Sequence, residues 1–226
     1  MKKIQFYDLH THTTFSDGVL IPAESARRAE VLGYNGIAIT DHADESNFQF
    51  IIEKQNEFKK RFNDVSDFKV IVGVEFTHVK PVLLEKIIPE ARKCGADIVV
   101  VHGETIVEPV KEGTNRAAID ACVDVLAHPG LISDEEVALA VKNEVALEIT
   151  TRKGHCYTNG HVFKLAKQYG AKLVLNNDFH APGDALSIEM LINVLKGIGA
   201  DELDINNIFE NNKKIFNKGL GGQNGQ

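Results

Sequence analysis

Seven short apolar runs, most of them rich in Val and Ile and each followed by a longer segment of helical period, constrain this chain more than anything else in its sequence. The runs are 4–9, 36–40, 69–75, 97–101, 123–127, 145–149 and 172–176. Helical segments fall near 22–33, 47–62, 82–95, 113–121, 134–143, 160–170 and 184–198. Pro22 suits a first helical turn, and Gly33, Gly95 and Gly170 sit where helices stop. In the last segment Leu186, Met190, Ile192 and Val194 supply an apolar face. An unbroken strand–helix series predicts an α/β fold with a parallel sheet. No glycine-rich phosphate turn follows the first run, and ionisable residues recur after nearly every run. Closure into a barrel is therefore expected over an open sheet, irregular because it has seven units rather than eight.

The 226 residues suit one large domain, expected over 1–216. Residues 217–226, rich in Gly, Asn and Gln, are expected to fray. The formal net charge is −7, which argues against a sequence-independent nucleic-acid binder. No apolar run approaches the roughly 20 residues of a membrane span, and Met1-Lys2-Lys3 leads straight into the first run. A cytoplasmic protein without membrane partners is expected. Cys94, Cys122 and Cys156 contain no CxxC pair and are expected to be reduced core or loop thiols.

The strand ends carry the chemistry. After the first run come His10-Thr11-His12 and then Asp17. The second ends in Asp41-His42, the third in Glu75, the fourth in His102 and the fifth in His128. The sixth ends in Glu148-Ile149-Thr150, and the seventh leads into Asp178-Phe179-His180. In a parallel barrel these ends gather on one face. Residues two apart on a strand share a side, so His10 and His12 can project together, and Asp178 and His180 likewise. Buried imidazoles and carboxylates packed without a cation would be unsatisfied or mutually repelling. Divalent Zn, Mn or Fe resolves this through mixed N and O ligands. A carboxylate such as Glu75 can bridge two ions about 3.5–4 Å apart.

Taken singly, each feature has a plain structural explanation: Asp41 as a helix cap, Asp17-Gly18 as a turn, His128 as a loop residue. Their joint placement at the strand ends favours a shared metal centre. His78 and His161 are expected in surface or capping roles. Arg152, Lys153 and His155, after the sixth run, and Arg116, after the fourth, are candidate contacts for a substrate phosphate. Asp8 and Asp41 are expected to support the ligands from beneath.

The segment 8–18 (DLHTHTTFSDG), together with Ile39-Thr40-Asp41-His42, Gly73-Val74-Glu75, His102, Ala127-His128-Pro129-Gly130 and Asn177-Asp178-Phe179-His180, resembles the PHP (polymerase and histidinol phosphatase) family. The likeness runs from residue 4 to about residue 185. It implies a distorted seven-unit (β/α)7 TIM-like barrel with a trinuclear metal site. One ion would take His10, His12, Glu75 and Asp178; a second Glu75, His102 and His128; a third Asp17, His42 and His180. Some members carry histidine where this chain has Asp17. The catalytic set implied is His10, His12, Glu75, Asp178 and His180, around three divalent ions.

The reaction implied is hydrolysis of a small phosphomonoester, histidinol phosphate being one such substrate, by a hydroxide held between the metals. A histidine at the site's edge or a metal-held water would protonate the leaving group. A nucleotide phosphatase or short-oligonucleotide nuclease of the same fold is the first alternative. An amidohydrolase would want a bridging lysine where this chain has Glu75 and His102. A non-catalytic RNA-associated barrel resembling a ribonuclease P subunit is the last, opposed by the acidic charge and the retained ligand set.

Overall fold

The computed structural model describes residues 4–221. The strands are β1 (Tyr7–Asp8), β2 (Gly36–Ile39), β3 (His42–Ala43), β4 (Lys69–Phe76), β5 (Ile98–His102), β6 (Val125–Ala127), β7 (Ala146–Thr150) and β8 (Leu173–Asn176). Helices α1 (Pro22–Val31), α2 (Phe48–Asn63), α3 (Pro81–Lys93), α4 (Thr114–Asp120), α5 (Asp134–Lys142), α6 (Asn159–Tyr169), α7 (Ile188–Gly197) and α8 (Glu202–Gly221) alternate with them. Every pairing is parallel, in the order β1-β2-β4-β5-β6-β7-β8, with β3 a two-residue extension against β4. The molecule is a seven-unit, nearly closed α/β barrel of the TIM type.

Alternation along each strand sorts the core into two layers. In β4, Val70, Val72, Val74 and Phe76 join the large cluster under the helices, while Ile71 joins the small inner cluster. The inner cluster also takes Ile98 and Val100 from β5, Val125 and Ala127 from β6, Ala146 from β7 and Val174 from β8. Further along the same side, four residues past Ile71 and two past Val100, Ala146 and Val174, come Glu75, His102, Glu148 and Asn176, all buried. The inner column thus changes from apolar to ionisable towards the C-terminal strand ends.

The β1–β8 seam closes mostly through side chains. Backbone pairing there is a single bridge, Thr11 to Phe179, with His12 N–H donating to Phe179 O at 3.0 Å. Leu9 N–H donates to Asn176 Oδ1 (2.9 Å), and Asn177 Nδ2 donates to Asp8 Oδ2 (2.6 Å). Asp8 therefore ties the seam together, and burial pushes its carboxyl up to about 7.

Helix α8 has no counterpart in the expected helices. Five asparagines in twenty residues mask a regular apolar face, Ile205, Ile208, Phe209 and Phe216, because Asn favours caps and turns over helix interiors. Phe216 plugs the inner cluster beneath the strands, meeting Gly36 so closely that a Cβ there would lie 2.5 Å from its ring. Residues 217–221, expected to fray, continue this helix; 222–226 lie outside the described residues. In α7 the buried positions are Leu191 and Leu195, and Met190 is exposed, so the apolar face is rotated from the one expected. Among the described residues no helix is long and apolar enough to cross a membrane. Cys94 and Cys122 are exposed and Cys156 half-buried, all three free.

Candidate metal centre

The segment after β1 delivers His10 and His12 into the barrel mouth, both fully buried. Asp41 holds the following turn: it accepts from Thr13 N–H, Thr13 Oγ1, Ser16 Oγ and Gln55 Nε2, each at 2.7 Å. That turn carries Asp17. Gly18 is required in it, since a Cβ would lie 2.5 Å from the His12 carbonyl. Two residues at the mouth, His128 (φ 27°) and Asp178 (φ 52°), adopt left-handed backbone, which costs roughly 1–3 kcal/mol each for non-glycine residues.

Glu75 stands at the centre. Its Oε1 lies 3.3 Å from His10 Nε2 and 3.5 Å from His128 Nε2, and its Oε2 lies 2.6 Å from His42 Nδ1 and 3.7 Å from His12 Nε2. The two oxygens thus face different histidine pairs, as a bridging carboxylate requires. Asp178 Oδ1 is 3.2 Å from His12 Nε2 and 3.7 Å from His10 Nε2. Asp17 Oδ1 is 3.2 Å from His180 Nε2 and 3.5 Å from His42 Nε2. His102 packs its ring 4.4 Å from that of His128. Four groups bring their donor atoms within 4.8 Å of one another: His10/His12/Glu75, His10/His128/Asp178, His12/Asp17/His42/His180 and His102/His128/His155. All nine predicted ligands lie in these groups.

The electrostatics follow from this crowding. Burial opposes ionisation of Glu75, but His10, His42 and His102 hold its carboxyl well below the usual range. Burial also works against the His10 cation, yet Glu75, Glu148 and Asp178 raise its pKa well above the ordinary value. Burial and the neighbouring imidazoles of His42 and His10 drive His12 the other way. The donor set fits divalent cations. Among the described residues, eight buried side-chain N or O atoms lack a hydrogen-bond partner. Six belong to predicted ligands: His10 Nε2, both ring nitrogens of His12, Glu75 Oε1, His128 Nδ1 and Asp178 Oδ1. Orphaned buried polar atoms are rare and costly, and a cluster of them on metal-ligating types is accounted for by ions.

The substrate candidates separate. Arg116 lies on the exposed face of α4, paired with Asp120 at 3.0 Å one turn on. Arg152 bonds Asp184 (2.9 Å), whose carboxylate also accepts from His180 N–H, so it stands at the rim beside the third group. Lys153 is exposed and makes no ion pair among the described residues. His155, paired in the sequence reading with those cations, instead packs its ring 4.3 Å from His128. His78 is exposed, as expected, and stands at the rim, its ring 5.5 Å from His102. His161 is structural, bonding Ile132 O.

Two carboxylates were not counted in the site from sequence. Glu148 bonds His10 Nδ1 (2.9 Å), Asn176 Nδ2 (2.8 Å) and His128 N–H (3.0 Å). Its place on the inner side of β7 was the available signal. Glu108, between β5 and α4, contacts His78, His102 and His155, and nothing local in the sequence marks it.

Fold and site together define a parallel barrel that gathers His, Asp and Glu groups able to hold metal at the C-terminal ends of its strands. The family model for the PHP domain matches residues 8–219, and the chain belongs to that family. It is 48% identical over 206 residues to the uncharacterized protein MJ1295 of Methanocaldococcus jannaschii, covering 89% of this chain and 93% of that one. It is 28% identical to ribonuclease P protein component 3 of Methanosarcina barkeri, covering 83% and 81% respectively. Among solved structures, the histidinol phosphate phosphatase of Lactococcus lactis, complexed with zinc, L-histidinol and phosphate, superposes with a TM-score of 0.61. That match has 20% identity over 88% of this chain and 95% of the other.

Proposed function

We propose that this chain is a metal-dependent phosphoesterase that hydrolyses a small phosphomonoester at a three-ion centre. The observation that carries the reading is the set of six orphaned donor atoms on predicted ligands, converging from four strand ends into one buried mouth. His10, His12, Glu75 and Asp178 would hold one ion, Glu75, His102 and His128 a second, and Asp17, His42 and His180 a third. Zn, Mn or Fe held there would supply Lewis acidity towards a phosphoryl oxygen and activate water. Among the chain's own residues, Glu148 fixes the His10 ring, Asp41 fixes the turn bearing Asp17, and Arg152 offers a cation at the rim for the phosphate.

The test is turnover of histidinol phosphate, p-nitrophenyl phosphate, nucleoside monophosphates and short oligonucleotides by metal-loaded protein beside His10→Ala. Turnover of a phosphomonoester that the variant loses supports the reading. Turnover that the variant retains, or none with any substrate, overturns it. Preference for nucleotides would move the assignment to a nucleotidase. Identity to a ribonuclease P component favours a second reading, an RNA-associated barrel. It requires salt-sensitive binding to structured RNA, against which the net charge of −7 weighs.

A further inference from the structure

We propose that Glu108 and His155 are additional metal ligands of this chain, which with His102 hold an ion at the outer edge of the centre. The inference rests on the metal-centre reading above and adds two protein donors to it.

Glu108 projects its carboxylate between imidazoles from separate segments. Oε2 lies 3.3 Å from His102 Nε2 and 3.4 Å from His78 Nε2, and Oε1 lies 3.3 Å from His155 Nε2. These separations exceed the roughly 2.7–3.2 Å of ordinary N–H···O bonds. They match the edge of a ligand tetrahedron, about 3.3–3.4 Å for metal bonds of about 2.0–2.1 Å. The same spacing recurs where Glu75 Oε1 meets the predicted ligand His10, at 3.3 Å.

His155 is also anchored as a ligand is anchored. Its Nδ1 bonds the buried Thr105 hydroxyl at 2.9 Å, leaving Nε2 towards the cluster. His10 is held in the same way by Glu148, and His180 by the Asp178 carbonyl, each through Nδ1. His161 shows the contrast, with Nε2 taken by a backbone carbonyl. Local backbone supports the placement. Gly154, at φ 91°, turns the chain into the short helix His155–Thr158, and a Cβ on it would rest 3.5 Å from Val107. The loop bearing Glu108 and the turn bearing His155 thus pack on each other. A carboxylate with two imidazoles suits Zn, Mn or Fe.

Full-length protein stripped of metal, as wild type, Glu108→Gln and His155→Ala, is titrated with cobalt(II) and read by visible absorption. Bound metal is then counted by elemental analysis after desalting. Both variants should hold one ion fewer per chain, or hold one class of ion at least about tenfold more weakly, with a changed cobalt spectrum. Wild-type stoichiometry and spectrum in both variants would overturn the proposal and leave the metal centre standing. A wild-type protein that binds no cobalt would overturn both. Circular dichroism reports folding; should His155→Ala unfold, the near-isosteric Glu108→Gln decides the outcome.

Discussion

Glu148 Oε1 lies 2.9 Å from His10 Nδ1, with both side chains wholly buried, and the same carboxylate accepts from His128 N–H through its other oxygen. One acid from β7 therefore orients two residues of the centre. Its burial opposes ionisation, but the adjacent His10 imidazole holds its carboxyl below the usual value. Glu148→Gln keeps the shape and removes the charge. It should weaken metal binding about 10–100-fold while leaving the fold intact, as measured by competition with a chelator.

Ions that bind the folded chain alone stabilise it by mass action. At a hundredfold excess over the dissociation constant each site contributes about 2.7 kcal/mol. Each site filled by Zn or Mn should therefore raise the melting temperature by roughly 5–10 °C in a chain of this size, and a chelator should reverse the rise. His10→Ala, which takes a ligand from one of the three proposed sites, should lower the response by about one site's share in a thermal melt.

The seam of the barrel depends on Asn212 of α8. Its amide donates to Tyr7 O (2.9 Å), Leu175 O (2.7 Å) and Asn176 Oδ1 (3.0 Å), and its oxygen accepts from Leu175 N–H (3.0 Å). Asn212→Ala takes this partner from the Tyr7 carbonyl and from the Leu175 N–H and carbonyl, while Asn176 Oδ1 keeps Leu9 N–H, and should cost about 1–3 kcal/mol or more in denaturant unfolding. Hydrogen exchange should quicken at Leu175 before it does at β5.

Lys59 Nζ meets Asp97 at 2.7 Å with both side chains nearly inaccessible. Lys59→Met removes the paired cation while Asp97 Oδ2 keeps its bond from Val72 N–H (2.9 Å), and should cost about 3 kcal/mol at neutral pH. Burial already raises the Asp97 pKa above 3.8 despite this partner. A raised acid contributes stability that is fully present below its unfolded pKa and lost as pH rises through the folded one. Removing Lys59 raises it further, so the penalty should shrink as pH falls towards 3.8 in pH-dependent unfolding of metal-free protein.

The sequence marked the seven units, and the structure has them at nearly the same boundaries, because buried parallel strands are short Val/Ile runs that local composition reveals. Eight of the nine candidate ligands were legible for the same reason, each within a few residues of a strand end, where a parallel barrel has one face to offer; Asp17 lies nine residues past β1, on the turn that Asp41 holds. Helix α8 was not legible, since its five asparagines obscure the period of Ile205, Ile208 and Phe209.

Sequence alone determined that this chain forms strand–helix units ending in metal-ligating types, since periodicity and side-chain chemistry are local properties. Only the tertiary structure decided which of those side chains meet. His155 stands with His102 and His128 rather than with Arg152, Glu108 closes on them, and Arg116 turns outward to Asp120. Loop paths between strands set those contacts, and no repeat in the chain encodes a loop's path.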